Sequence, residues 1–220
     1  MSKAARSIKK ELDQIITSLI KSGIANDQNF PALRDVSANC FEVTFSGAEH
    51  LAIAMSDLPY DQIYSEIDSR RSFSIKLVDG GVMQLSYFFE REELKKHRLA
   101  FYPSPSLRSF QECPEDYMVD SVFLDIVSRK IIPFPIRFDY DPGCAVDLGH
   151  PVCHATLGDV LDCRIPVSKA LTPRVFFDFI LRNFYSAGGN NFCSYLPKAK
   201  HSFDATITVM ERSVVHFIAP

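Results

Sequence analysis

The chain has 220 residues, 46% of them hydrophobic, and a formal charge of −3, so it lacks the basic excess of a free-standing nucleic-acid binder. That length supports one sizeable domain or two small ones sharing an interface, with eighteen Phe and no Trp to build the core. Cys40, Cys113, Cys144, Cys153, Cys163 and Cys193 form no C-x-x-C, which excludes a zinc ribbon and a dithiol redox motif and fits free thiols in a reducing compartment.

The opening stretch MSKAARSIKKELDQIITSLIKSG spaces its apolar residues instead of running them together, so it lacks the apolar core of a signal peptide. No apolar run approaches the about 20 residues of a membrane helix, and a soluble, cytoplasmic protein is expected. Ile8, Leu12, Ile15, Ile16, Leu19 and Ile20 fall at helical spacing, with Gly23 placed to end the helix. This amphipathic face is expected to dock on the chain's own core. Its alternative use is a partner surface at Ile8, Leu12 and Ile15.

CFEVTFSG (40–47) alternates as a half-buried strand, and SFSIKLVDGGVMQLSYFF (72–89) reads as two strands joined at Asp79-Gly80-Gly81, residues suited to a tight hairpin. EREELKKH (90–97) reads as a short charged helix with Glu93 and Lys96 as a surface pair, and RLAFYPSP (98–105) as a further strand. Residues 103–120 carry three prolines and little periodicity, so they mark a long connection. The chain is therefore a single domain over 1–220, divisible at that connection into subdomains 1–105 and 120–220. SVFLDIV and IPFPIRFDY follow as strands, with Pro133 and Pro135 suited to an edge. Thr172, Pro173 and Leu171 cap, start and staple a second helix, TPRVFFDFILRNFY, whose Phe-rich face calls for burial. FDATITVMERSVVHFIAP reads as a closing hairpin turning at Glu211, Arg212 and Ser213. The sum is an α+β fold with a mainly antiparallel sheet, an N-terminal amphipathic helix and a buried Phe-rich helix near the C-terminus.

The chemistry concentrates in RFDYDPGCAVDLGHPVCHATLGDVLDCRIP (137–166). On a strand, Arg137, Asp139 and Asp141 share one face, either as an exposed charged row with internal ion pairs or gathered around a phosphate or metal. His150 and His154 would stand about 13 Å apart on a straight strand, so they converge only if the chain bends at Pro151 and Val152. Converged, and with Arg137 or Arg164 beside them, they suit acid–base cleavage of a phosphodiester, one imidazole accepting a proton and the other donating one. A divalent metal held with Asp139, Asp141 or Cys153 is the less favoured option, because the spacing matches no standard zinc pattern. The bland alternative is two loop histidines and an arginine paired with Asp159 or Asp162. Cys153 is poorly placed for activation by His154, since strand neighbours point to opposite faces, and Ser168 lacks a G-x-S-x-G setting. SAGGNN lacks the Lys and spacing of a P-loop. Lys198, Lys200 and His201 form a local basic patch suited to a phosphate backbone.

RLAFYPSPSL, PEDY, PIRFDYDP, HPVCH, CRIPVSKALTP and FILRNFY together resemble an uncharacterised bacterial domain family of unknown function, DUF2290, over nearly the whole chain. The resemblance implies context more than chemistry: a helicase encoded alongside, in loci that protect bacteria from phage. It also implies a further histidine two positions after His154, where this chain has Thr156. The function so suggested is a defence subunit that processes or senses phage nucleic acid through Arg137, Asp139, Asp141, His150, His154 and Arg164. The alternative is a non-enzymatic adaptor that stabilises or gates the helicase.

Overall fold

Ser2 starts the first helix: its side chain accepts a hydrogen bond from the Ala5 amide, and α1 runs Lys3–Lys21. The computed structural model describes residues 2–48, 58–106, 134–158, 160, 162–185, 192–198 and 202–220. Ile8, Leu12, Ile15, Ile16 and Leu19 are at most 1% exposed, whereas Ile20 lies at the rim at 39%. Gly23 ends the helix at φ +75°, the left-handed region that a side chain would disfavour. At the other end the Glu92 carboxylate accepts from the Lys3 and Ala4 amides at 3.0 and 2.9 Å. An anion is thereby seated on the helix N-terminus.

Three helices accompany nine strands among the described residues, all paired antiparallel in one sheet. The strands are β1 (Ala25–Gln28), β2 (Ala32–Ser37), β3 (Cys40–Thr44), β4 (Ile75–Leu77), β5 (Val82–Glu90), β6 (Glu93–Tyr102), β7 (Ile136–Tyr140), β8 (Cys153–Leu157) and β9 (Ile165–Pro166). Their order is β1-β4-β5-β6-β7-β8-β9, with β3 on the outer half of β5 and β2 on β3. Because β6 pairs with β7, one sheet carries strands from both sides of the 103–120 connection. Helix α2 spans Tyr60–Ser69 and α3 spans Pro173–Phe184. One sheet face packs on α1 and α3 through Leu85, Phe101, Phe138, Phe176 and Phe177, the α+β core that the Phe content called for. The other face is covered at one end by α2, where Ile63, Tyr64 and Ile67 meet Val82, Ala100 and Tyr102.

The hairpin at Asp79-Gly80-Gly81 forms as read, with Gly80 at φ +85° and the Asp79 carboxylate accepting from Gly81. The 90–97 helix does not form. Arg91, at φ +55°, and Glu92 make a tight turn, and residues 93–96 are the more exposed end of β6. That end of the hairpin has little core to meet, so its strand positions carry charges and imitate a solvated helix. Glu93 pairs there with Lys95 at 2.5 Å, and Lys96 with Asp141 at 2.8 Å. The closing hairpin at 203–220 is also replaced. Its turn is a 3-10 helix at Glu211–Ser213, but the two legs bond to residues 166–169 instead of to each other. Phe217 exchanges hydrogen bonds with Pro166 and Ser168, and the Thr206 amide donates to the Ser168 carbonyl. SVFLDIV, Asp159, Lys200, His201 and most of the 103–120 connection lie outside the described residues.

The N-terminus of α3 is held twice. Thr172 caps the Val175 amide, and buried Glu11 of α1 accepts from the Arg174 amide at 2.7 Å. Glu11→Ala is expected to cost about 1–3 kcal/mol in urea unfolding by leaving that amide without its charged acceptor. Glu11→Gln, which keeps an acceptor, is expected to cost less.

Candidate functional site

Strand alternation sorts the dense segment into two sides. Ile136, Phe138 and Cys153 face the α3 core, so Arg137 and Asp139 of β7 and His154 and Thr156 of β8 share the opposite face. The register sets Asp139 directly opposite His154 and Arg137 opposite Thr156. On the other flank Arg98 of β6 stands opposite Asp139 and pairs with it at 3.0 Å. Pro166 of β9 lies across from His154, and Arg164 precedes it by two residues.

The chain bends at Val152, and this bend turns two distant histidines into neighbours. The His150 and His154 rings meet edge to face with centroids 4.7 Å apart. His154 Nδ1 lies 3.0 Å from the Pro151 carbonyl, which only accepts, so Nδ1 carries the hydrogen and Nε2 presents its lone pair. Burial holds the His154 pKa below its ordinary value; the Pro151 carbonyl and Asp139 oppose the shift, while His150 and Arg164 add to it. Neutral His154 is therefore in the form that accepts a proton at neutral pH.

Two further groups are poised without partners among the described residues. His150 Nδ1 and Arg137 Nε are both buried and make no hydrogen bond there. Polar atoms in that state are costly unless something satisfies them. Arg164 donates to Asp162 at 2.8 Å and reaches toward the Gly149 carbonyl, beside His150. Arg137, diagonal to His154 across the β7–β8 register, and Arg164, two residues before Pro166, place two guanidiniums on the side of the sheet that carries His154, groups of the kind that bind an anion.

Asp141 is not part of this cluster. It caps the 3-10 helix Pro142–Cys144 by accepting from Gly143 and binds Lys96; against the upward push of partial burial, Lys96, Cys144 and Gly143 hold its carboxyl below the usual range. The exposed row with internal Arg137–Asp pairs is likewise corrected, since the aspartates pair with Arg98 and Lys96 of β6. Among the described residues no three His, Cys, Asp or Glu side chains gather as a metal site. Cys153 is buried on the core face, where burial pushes its thiol well above its ordinary value, so it is no nucleophile. Lys198 lies against α3, away from the histidines. Ile8, Leu12 and Ile15 are sealed in the core, so in this fold they offer no partner surface.

Arg98 is the site residue that the sequence reading missed. The signal was present: RLAFY alternates, which sets Arg98 apart from Leu99 and Phe101, but only the β6–β7 register shows that it meets Asp139.

No curated protein and no solved structure matches the chain. No helix among the described residues is long and apolar enough to cross a membrane. The match to a family extends over residues 24–219, nearly the whole chain and all of the site, and on that match the protein belongs to DUF2290, a family described as an uncharacterized conserved protein.

Proposed function

We propose that this chain is a cytoplasmic subunit of a bacterial anti-phage defence system that works with a partner helicase and cleaves phosphodiesters in nucleic acid at the His150–His154 face. The observation that carries the reading is the contact of the two imidazoles at 4.7 Å, with one ring fixed as a neutral acceptor. In that chemistry His154 Nε2 takes a proton from the attacking hydroxyl and His150, protonated, returns one to the leaving oxygen. Arg137 and Arg164 carry the phosphate charge. A ribose 2′-hydroxyl supplies the nucleophile within the substrate, which favours RNA. The net charge of −3 fits a subunit that relies on a translocating partner for most of its affinity.

The test is incubation of the purified protein, alone and with its helicase, with labelled single- and double-stranded RNA and DNA, with and without chelator. The expected result is cleavage that survives chelator and is absent from a folded His150→Ala/His154→Ala variant. A non-catalytic adaptor is the second reading. One observation favours it: the Thr208 hydroxyl donates to Asp147 at 2.6 Å, drawing exposed Val209 and Met210 toward exposed Val146 and Leu148. No cleavage under any condition, with the two proteins still co-eluting and a Val209→Asp/Val146→Asp variant failing to co-elute, selects the adaptor.

A further inference from the structure

On the sheet face opposite the histidines, between α3 and the C-terminal tail, lies a cavity of about 640 Å³. That is the size of a small-molecule site. Its floor is apolar: Phe138, Val175, Phe179 and Phe217, with the Phe138 and Phe179 rings edge to face at 5.3 Å. Among the described residues its rim carries the side chains of Arg174, Asp178, Arg182 and Lys198.

The cations on α3 are pre-oriented. Arg174, Asp178 and Arg182 stand four residues apart on one helix face, and the Asp178 carboxylate accepts from Arg174 at 2.9 Å and from Arg182 twice at 3.0 Å. One carboxylate fixes two guanidiniums and leaves other N–H groups of each unused by it. The Arg174 side chain is only 20% exposed, so it is set into the rim and not waving in solvent. Spaced pairs of this kind are common on helix surfaces and by themselves mean little. Here they border a cavity with an aromatic floor.

We propose that this cavity binds an aliphatic carboxylate, its head held by Arg174 and Arg182 and its tail laid over Phe138, Phe179 and Phe217. Charge complementarity selects an anion. The floor selects an acyl tail over a nucleotide, because it offers little to read a base edge: the Asn183 amide already donates to the Phe179 carbonyl at 2.7 Å. The site is separate from the imidazole pair, with Phe138 on one face of β7 and Asp139 on the other.

The experiment is calorimetric titration of the full chain with decanoate, decanol and adenosine monophosphate. Saturable one-to-one binding of decanoate is expected, at least roughly 10-fold tighter than decanol, because charge-assisted hydrogen bonds to the head are lost in the alcohol. Arg174→Gln/Arg182→Gln is expected to weaken decanoate by a similar factor, and Ala219→Phe, which fills the cavity from the tail, to abolish binding with an unchanged melting curve. His150→Ala/His154→Ala is expected to bind decanoate as the parent does, which keeps this site distinct from the cleavage reading. Absence of saturable binding at millimolar decanoate, decanol binding as tightly as decanoate, or nucleotide binding with decanoate inert would overturn the proposal. The decanoate and decanol comparison on the parent protein decides the matter even where a variant fails to fold.

Discussion

In the proposed cleavage reaction, His154→Ala is expected to slow turnover by roughly 100- to 10,000-fold, the range over which a positioned general base contributes. The size of the loss does not by itself identify a base, because a misfolded face would lose as much. The pH profile does. Burial sets the His154 pKa below its ordinary 6.5, so the acid limb of kcat/KM is expected below pH 6.5. Two substitutions are expected to move that limb in opposite directions. Asp139 favours the imidazolium, so Asp139→Asn lowers the limb; Arg164 disfavours it, so Arg164→Gln raises it. The same opposed displacements are expected in an NMR titration of the His154 ring, which requires no substrate. A structural role would alter rates without displacing the limb, and limbs moving together in the two variants would refute the assignment of His154 as base.

Periodicity exposed most of the fold because most of the core obeys it. The spacing of Ile8, Leu12 and Ile15 and the Thr172-Pro173 start of the Phe-rich helix both report burial, and both helices lie where the pattern set them. The reading failed where burial is thin. At residues 90–96 the β5–β6 hairpin reaches the edge of the core, so solvent, not the strand period, dictates the charges. At 203–220 the apolar alternation is real, but its hydrogen-bond partner is the 166–169 segment some forty residues earlier, which no local pattern names. The site shows the same division. Alternation sufficed to group Arg137 with Asp139, yet the convergence of His150 and His154 depends on a backbone bend, and Arg98 enters through a strand register. Long-range pairing is the information that a single sequence holds least openly.

A third histidine is expected to lower the protein's stability in acid. His97 of β6 is buried on the core face, stacked on Tyr140 with centroids 5.7 Å apart and tilted against Tyr87. Its Nε2 accepts a hydrogen bond from the Leu171 amide at 3.1 Å, which fixes the hydrogen on Nδ1. Burial pushes its pKa down from 6.5 to about 4, with Asp139 opposing the shift. Above pH 6.5 the ring is neutral in both the folded and unfolded chains and exerts no pull. As pH falls from 6.5 toward 4 the unfolded chain takes up a proton that the folded chain refuses, so stability is lost across that window, reaching about 3 kcal/mol at about 1.4 kcal/mol per pKa unit. Urea unfolding at pH 7, 5.5 and 4.5 is the measurement, with His97→Gln beside the parent because glutamine keeps an acceptor for Leu171 and does not titrate. Asp79, whose carboxyl is raised by burial, titrates in both proteins and cancels in the difference. The parent is expected to lose most of that extra 3 kcal/mol relative to the variant by pH 4.5, whereas parallel curves would show that a water or a shifted backbone solvates the ring and that the Tyr87–His97–Tyr140 stack is not closed.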